Sequence, residues 1–336
     1  MENCEKIKVG VVGTGALGRH HARLYAQNPR AEMVGIFDVQ LENARKVGEE
    51  FGLPVFEKLE DLAASCDALS VAVPATYHAS TVIPLLNMGK HILTEKPIHA
   101  DIEGARAMCE AAEKNQVVFG VGHVERFNPA MDYLMEKKGG ICCVEAHRMA
   151  AYPPSRPGLP PRGTEVSVIL DLMIHDLDLV LALIDSEVSK IEAVGAALLS
   201  PGEDIVNARI EFVNGACALV SASRISTTPS RQVQVFKEDA FYSMDFGNHC
   251  GIIQHGGADG LVSEKVELPE KNALAAELDD FIGAVLKTKA AGVVQECRVS
   301  GKAGLKALEV AVAIEKLCRK NNQEHGFDFS SWKTGK

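Results

Sequence analysis

The chain has 336 residues, of which 46% are hydrophobic, and its formal net charge is −10. This length predicts two domains with sizeable cores, and an acidic chain without a basic run argues against nucleic acid or an anionic membrane as a partner. No apolar run approaches the roughly 18 residues of a membrane span, and the first residues have no signal-like region, which predicts a cytoplasmic protein. The nine cysteines include no CxxC pair, which favours reduced thiols.

A glycine loop near the N-terminus predicts a dinucleotide site. Ile7–Val12 is a predicted buried strand, and Gly13-Thr14-Gly15-Ala16-Leu17-Gly18 follows it and opens a helix predicted over 16–27. In such a loop, Gly13 allows a tight turn, Gly15 lets the backbone approach a pyrophosphate, and Gly18 lets the helix pack close. The N-terminus of the helix, with Ala16 and Leu17 in its first turn, favours an anion.

An acidic residue at the end of the next strand favours NAD over NADP. Asp38 follows the predicted strand Glu32–Phe37. A carboxylate there accepts hydrogen bonds from the ribose hydroxyls of NAD and would repel a 2′-phosphate. Arg45 on the next helix is the residue that leaves NADP open. The alternative is a glycine-rich turn in an unrelated α/β protein, with Asp38 as a solvated charge.

Helices and strands alternate as far as residue 121, which predicts a doubly wound parallel sheet. Ligands bind at the carboxyl ends of such strands, and we expect these residues there: Gly13, Asp38, Pro74, Glu95-Lys96-Pro97 and His123. The predicted division is an NAD-binding domain over 1–124, a substrate-binding and oligomerisation domain over 125–325, and a tail over 326–336.

Three motifs together resemble the family of glucose-fructose oxidoreductase, inositol 2-dehydrogenase and MocA. They are the glycine loop, Val73-Pro74 with His78, and Glu95-Lys96-Pro97. The resemblance implies an N-terminal Rossmann domain, a C-terminal α/β domain with an open, mostly antiparallel sheet, and an active site between them. It also implies a cis Pro97, and cofactor contacts from Val73, Pro74, His78, Glu95 and Lys96.

Lys96 is a catalytic candidate on its own chemistry. An ammonium at a strand end can donate to a substrate hydroxyl and stabilise alkoxide character as hydride leaves. The alternative is a surface lysine paired with Glu95.

A second candidate pair lies on a long apolar helix predicted over Val166–Ile184. Asp171 and His175 are four residues apart and share one helical face. A self-satisfied pair in the core is one alternative, and a metal site is disfavoured because too few ligands are spaced for it. The resemblance implies that both face Lys96, with His175 as general base and Asp171 orienting Lys96 or His175. Relatives often carry a glycine run before this helix, where this chain has Thr164-Glu165-Val166-Ser167.

The proline-rich stretch Ala151–Gly163 is a predicted loop with cationic character from Arg148, Arg156 and Arg162. It is either a solvated connector or a substrate loop whose arginines bind phosphate or carboxylate.

The later part of the chain predicts a sheet that buries its second face. The predicted strands are 191–199, 205–212, 216–225 and 232–236, and helices are predicted over 272–287 and 300–320. In the strand at 216–225, residues 216–223 carry no charge on either face, which favours a homodimer or homotetramer through this sheet.

The predicted function is NAD-dependent oxidation of a secondary hydroxyl of a sugar. The segments GHVERFNP and DLMIHDLDLV resemble the branch of UDP-N-acetylglucosamine 3-dehydrogenases, which supply amino sugars for lipid A. A nucleotide sugar would place its pyrophosphate against Arg156 or Arg162, with His123 as a further substrate contact. The alternatives are an inositol or free-sugar dehydrogenase, a non-catalytic NAD(H)-sensing regulator, and a glycosidase with tightly held NAD.

Overall fold

The computed structural model describes residues 6–137, 139–155 and 161–329. Its first sheet has five parallel strands in the spatial order β2-β1-β3-β4-β5. They are β1 (Ile7–Val12), β2 (Ala31–Phe37), β3 (Ala68–Val71), β4 (His91–Glu95) and β5 (Phe119–Gly122). The order changes direction between β1 and β3, the switch point beside which ligands bind in open α/β sheets. The predicted doubly wound parallel sheet is confirmed.

Five helices connect the strands of this sheet along the chain. They are α1 (Ala16–Gln27), α2 (Leu41–Phe51), α3 (Leu59–Ser65), α4 (His78–Asn87) and α5 (Ile102–Lys114). Local chemistry sets several of their ends. The carboxylate of Asp101 accepts the Gly104 N–H at 2.8 Å and caps α5, as predicted. Gly52, at φ +66°, ends α2 in the left-handed region.

The second sheet has eight strands in the order β13-β12-β11-β10-β6-β9-β8-β7, antiparallel except for the β6–β9 pair. Its strands are β6 (Ile141–Met149), β7 (Val188–Ala196), β8 (Ile205–Phe212), β9 (Cys217–Ser223), β10 (Ser230–Lys237), β11 (Phe241–Asp245), β12 (Cys250–Gly257) and β13 (Gly260–Glu267). The open, mostly antiparallel sheet is therefore confirmed.

Two features of this sheet differ from the sequence-based expectation. The three strands between residues 241 and 267 were not predicted. The last of them, β13, is exposed along nearly its whole length and carries no apolar alternation that could have indicated a strand. Strand β7 ends at Ala196 instead of Leu199. It stops there because the N–H groups of Leu198 and Leu199 donate to the Asp204 carboxylate at 2.8 and 2.6 Å.

The remaining helices are α6 (Pro129–Glu136), α7 (Ile174–Ile184), α8 (Ala273–Ala291) and α9 (Gly301–His325). A π turn over Ile169–Met173 leads directly into α7, so the predicted continuous helix from Val166 is not regular at its start. Among the described helices, none combines the length and hydropathy of a membrane span.

The chain forms two compact units by its internal contacts. One contains the residues up to Phe127 together with Asn272–Lys306, and the other contains Asn128–Lys271 with the residues from Ala307 onward. Helix α8 belongs to the first unit because Leu278, Phe281 and Ile282 pack into the core around β1 and α1. The sequence-based division had placed this segment with 125–325.

Candidate active site

The glycine loop forms a close turn at the switch point of the first sheet. Gly13 has a φ of +86°, and a Cβ there would lie 2.7 Å from the Ala72 carbonyl oxygen. A Cβ on Gly18 would overlap the carbonyl oxygen of Gly13, whereas one on Gly15 would meet no described atom within 4 Å. The backbone at Gly15 is thus open, next to exposed Ala16 and Leu17. Because no described side chain caps α1 and its first turn has no acidic residue, its N-terminus suits an anion.

Asp38 is held in one orientation at the end of β2. One carboxylate oxygen accepts the Thr14 N–H at 2.7 Å and the Thr14 hydroxyl at 2.9 Å, and the other accepts the Gln40 N–H at 2.8 Å. The side chain is half-buried. The loop residue Thr14 therefore orients the carboxylate that the sequence assigned to ribose. Together with the glycine cradle, this arrangement fits a dinucleotide.

His78 does not lie where a direct cofactor contact requires it. Its ring is fully buried, and its nitrogens lie 2.9 Å from the Val73 carbonyl oxygen and 3.0 Å from that of Ile98. Burial lowers the pKa of this imidazole, an effect that these two carbonyl groups oppose only in part. His78 thus ties the loop after β3 to the loop after β4. Val73 and Pro74 remain accessible beside it.

Glu95 also points away from solvent, into a hydrogen-bonded network that the sequence analysis missed. Its Oε1 lies 2.9 Å from Nε2 of His21, whose Nδ1 lies 2.7 Å from the Ser70 hydroxyl. Its Oε2 accepts the Lys96 N–H at 3.2 Å. Burial alone would raise the pKa of Glu95, but the His21 hydrogen bond and the Lys96 charge outweigh it and hold that pKa below its ordinary value.

The position of His21 could have been inferred from the period of α1. Gly18, His21, Ala22 and Tyr25 follow the i, i+3, i+4, i+7 spacing of a buried face, and all four are buried. No local sequence pattern indicates that Glu95 and Ser70 contact His21 on this face of α1.

Lys96 directly follows buried Glu95 and directly precedes Pro97. Its side chain is half-buried, and the Lys96–Pro97 peptide bond is cis, as the resemblance implied. His123 follows β5, as expected, but its ring is only 1% exposed. Its predicted contact with a substrate stays a prediction.

Asp171 and His175 lie at the junction of the π turn and α7. Asp171 is in the π turn and His175 is the second residue of α7, and both are half-buried beside fully buried Met173 and Ile174. Both polar side chains are thus partly accessible, while most of α7 is core, and their sharing of one face stays a prediction. A cluster of three or more side chains able to hold a metal ion is absent from the described residues.

The structure describes two of the three arginines that were predicted to give the proline-rich loop its positive charge. Arg148 is buried and paired with Asp176 through two hydrogen bonds of 3.0 and 2.9 Å, so it gives the loop no free positive charge. Arg162 is exposed at the end of the loop. Arg156 lies outside the described residues.

Comparison with known proteins assigns both parts of the chain. Residues 7–123 match the NAD-binding Rossmann domain of the GFO/IDH/MocA oxidoreductase family, and residues 137–242 match the C-terminal domain of that family. A UDP-N-acetylglucosamine 3-dehydrogenase of Acidithiobacillus ferrooxidans is 35% identical over 92% of this chain and 97% of its own length. An inositol 2-dehydrogenase of Rhizobium meliloti is 25% identical over 94% of this chain and 98% of its own length.

Solved structures agree with this assignment. A structure of the Acidithiobacillus ferrooxidans enzyme has a TM-score of 0.85 at 34% identity, covering 94% of this chain and 98% of its own. Levoglucosan dehydrogenase in complex with NADH and levoglucosan has a TM-score of 0.83 at 20% identity, covering 94% of this chain and 98% of its own, and shares the fold. The family matches over residues 7–123 and 137–242, together with the relative of 35% identity, establish that this chain belongs to the GFO/IDH/MocA family of NAD-binding oxidoreductases.

Proposed function

We propose that this protein is a dehydrogenase that uses NAD to oxidise the C3 hydroxyl of UDP-N-acetylglucosamine. One observation carries the proposal, namely 35% identity to an enzyme of that name over 97% of the relative's length. The lysine, aspartate and histidine that the chemistry needs are all present, and each is partly accessible.

The roles of these residues follow from their chemistry. The secondary alcohol becomes a ketone by losing a proton from oxygen and a hydride from carbon. Bound NAD supplies the hydride acceptor. His175 accepts the hydroxyl proton, and Lys96 donates a hydrogen bond that stabilises the charge developing on oxygen. Asp171 orients Lys96 or His175 by hydrogen bonding.

We propose NAD rather than NADP because Asp38 is fixed by Thr14 and Gln40 where a ribose 2′-substituent is recognised. A carboxylate held there by three hydrogen bonds cannot turn aside for a phosphate without losing them. Val73, Pro74 and the loop residues Gly13–Leu17 are the proposed remaining contacts.

We also propose that the protein forms a homo-oligomer through the open face of its second sheet. Large apolar side chains share that face according to the strand register, and they are Val194, Leu219, Phe236, Phe241 and Ile252. Leu219 lies near the middle of the sheet and is 37% exposed. Such a patch on a single protomer is typical of an interface.

The test measures NADH formation by the purified protein with UDP-N-acetylglucosamine, myo-inositol or free glucose, each with a trap for the ketone. We expect turnover with the nucleotide sugar, and a loss of about a hundredfold or more in Lys96→Ala. Lys46→Ala, a change at an exposed lysine of α2, serves as the matched control and keeps wild-type turnover.

Each other outcome removes a defined part of the proposal. Turnover only with inositol or glucose would reject the nucleotide sugar and leave the dehydrogenase. Full activity in Lys96→Ala would reject the role of this lysine. Binding of NAD without turnover of any of the three would favour a sensing role.

A further inference from the structure

The end of the proline-rich loop lies directly against the carboxylate of Asp171. Gly163 has a φ of +82° there, a conformation that side chains rarely adopt. A Cβ on Gly163 would overlap Oδ2 of Asp171 and would lie 3.1 Å from its Cγ. Only glycine allows the backbone to approach the carboxylate this closely, so Gly163 forms a wall against one side of it.

This wall is held in place by a buried arginine. Nη1 of Arg224 donates to the Gly163 carbonyl oxygen at 2.7 Å, and Nη2 donates to the Val166 carbonyl oxygen at 2.9 Å. Arg224 is only 2% exposed. Its planar, forked guanidinium fixes two points of the backbone on either side of Thr164 at once.

Asp204 anchors the arginine in turn. Its Oδ1 accepts from Nε of Arg224 at 2.7 Å, and its Oδ2 accepts the N–H groups of Leu198, Leu199 and Ser200. Burial alone would raise the pKa of Asp204, but the hydrogen bonds from Ser200, Leu199 and Arg224 outweigh it and hold that pKa below its ordinary value. The Arg224–Asp204 ion pair is therefore held in the protein interior, shielded from solvent.

We propose that Gly163 is a positioning residue for Asp171, braced by the buried Arg224–Asp204 pair. The contact keeps the carboxylate from turning toward the loop, and so holds it in the orientation that its partner requires. The proposal rests on the proposed function, in which Asp171 takes part in the dehydrogenation. The chain has no glycine run directly before α7, and this single glycine supplies the close approach.

The variant that tests the contact is Gly163→Ala, with Gly215→Ala as its matched control. Gly215 also has a positive φ, +87°, but a Cβ there would meet no described atom within 4 Å. Both variants put a side chain on a residue with a similar positive φ, and only the first adds a collision with Asp171. We expect kcat to fall by about ten- to a hundredfold in Gly163→Ala, with similar melting temperatures in both variants. Equal kcat in the two variants would overturn the proposal.

A double-mutant cycle separates positioning from general damage. Asp171→Ala lowers kcat on its own, and adding Gly163→Ala to it should then cause little further loss, because the carboxylate with which the new Cβ collides is no longer there. Losses that multiply in full would mean that Gly163 acts elsewhere, and the proposal would fall.

A crystal structure of Gly163→Ala gives a readout that needs no activity. We expect a changed side-chain torsion at Asp171 with the Arg224–Asp204 pair intact. An unmoved Asp171 would overturn the proposal, even if the wild-type protein oxidised none of the sugars tested. The absence of turnover by the wild-type protein would count against the proposed function alone.

Discussion

Single residues at the first sheet show how a site is set by partners that lie far apart in the chain. The Asp38 carboxylate depends on Thr14, and Glu95 depends on His21. Because His21 and Glu95 are buried together, removing either one would leave a buried polar group without its partner, which is more costly than losing an exposed ion pair. The backbone at Lys96, whose N–H donates to Glu95, is therefore held in part by His21, which is fully buried.

At this scale, the choice of cofactor depends on one side chain. Asp38→Asn removes the negative charge but keeps a similar shape, so repulsion of a 2′-phosphate falls. We expect the ratio of kcat/KM for NAD to that for NADP to drop by about tenfold, or about 1.4 kcal/mol. Asp61→Asn, at an exposed position of α3, should leave the ratio unchanged. A ratio unaltered in Asp38→Asn would contradict the proposed ribose contact.

At the scale of elements, the pairing of β4 with the chain before β5 depends on a neutral imidazole. Nδ1 of His91 accepts the Val118 N–H at 2.9 Å. Burial lowers the pKa of His91 to about 4. In the unfolded chain, a histidine has its ordinary pKa near 6.5. Acid therefore protonates His91 in the unfolded chain before it does so in the folded protein.

The expected result is a loss of stability in acid. As the pH falls from about 6.5 to about 4, the unfolded chain binds a proton that the folded protein excludes. The free energy of unfolding then drops by at most about 1.4 kcal/mol per pH unit from this group. Below the folded pKa the loss stops. Chemical denaturation across this pH range should give a shallower slope in His91→Asn than in the wild type.

A second histidine, with a pKa shifted in the opposite direction, provides a control. The Gly256 carbonyl and the Glu264 carboxylate raise the pKa of half-buried His255, so this group contributes stability that is complete below about pH 6.5 and is lost as the pH rises above it. Between about pH 6.5 and about pH 4, His255→Asn should therefore leave the slope at its wild-type value. If His255→Asn made the slope as shallow as His91→Asn does, the assignment to His91 would be wrong.

At the scale of the whole molecule, one face of the second sheet carries exposed apolar side chains in a single protomer. The sequence predicted an uncharged face from β9 alone, but the register places Glu145 and Arg209 directly beside Leu219. The open face is therefore mixed, with apolar side chains among charged ones, as in many subunit interfaces.

The proposed oligomer should depend on Leu219 in this face. Leu219→Arg removes a large apolar side chain from the proposed interface and puts in its place a charged one, which the partner protomer would have to desolvate at a cost. We expect the variant to elute at the mass of a single chain, 36.1 kDa, in size-exclusion chromatography with light scattering. Val213→Arg, at a 71% exposed position after β8, should keep the oligomer. A wild-type protein that is itself monomeric would reject this interface.

The sequence by itself determined the parallel sheet, the glycine loop, Asp38 and the turn at Lys96–Pro97. These features are local, because apolar runs report burial, and glycine or an acid at fixed spacing reports the geometry of a single turn. The family resemblance added the open, mostly antiparallel sheet and the cis Lys96–Pro97 peptide bond. Exposed β13 escaped prediction because its stability comes from pairing with β12, which leaves no pattern in its own residues.

Only the tertiary structure decided which polar side chains are exposed to solvent and which are buried in the protein interior. His78 and His123 are buried, and Arg148 is bound to Asp176, although each lies where the sequence predicts a contact or a free charge. The contacts of Glu95 with His21 and of Arg224 with Gly163 join residues many tens of positions apart. The physical reason is that a buried polar group must find its partner wherever the fold brings one, and no local spacing encodes that meeting.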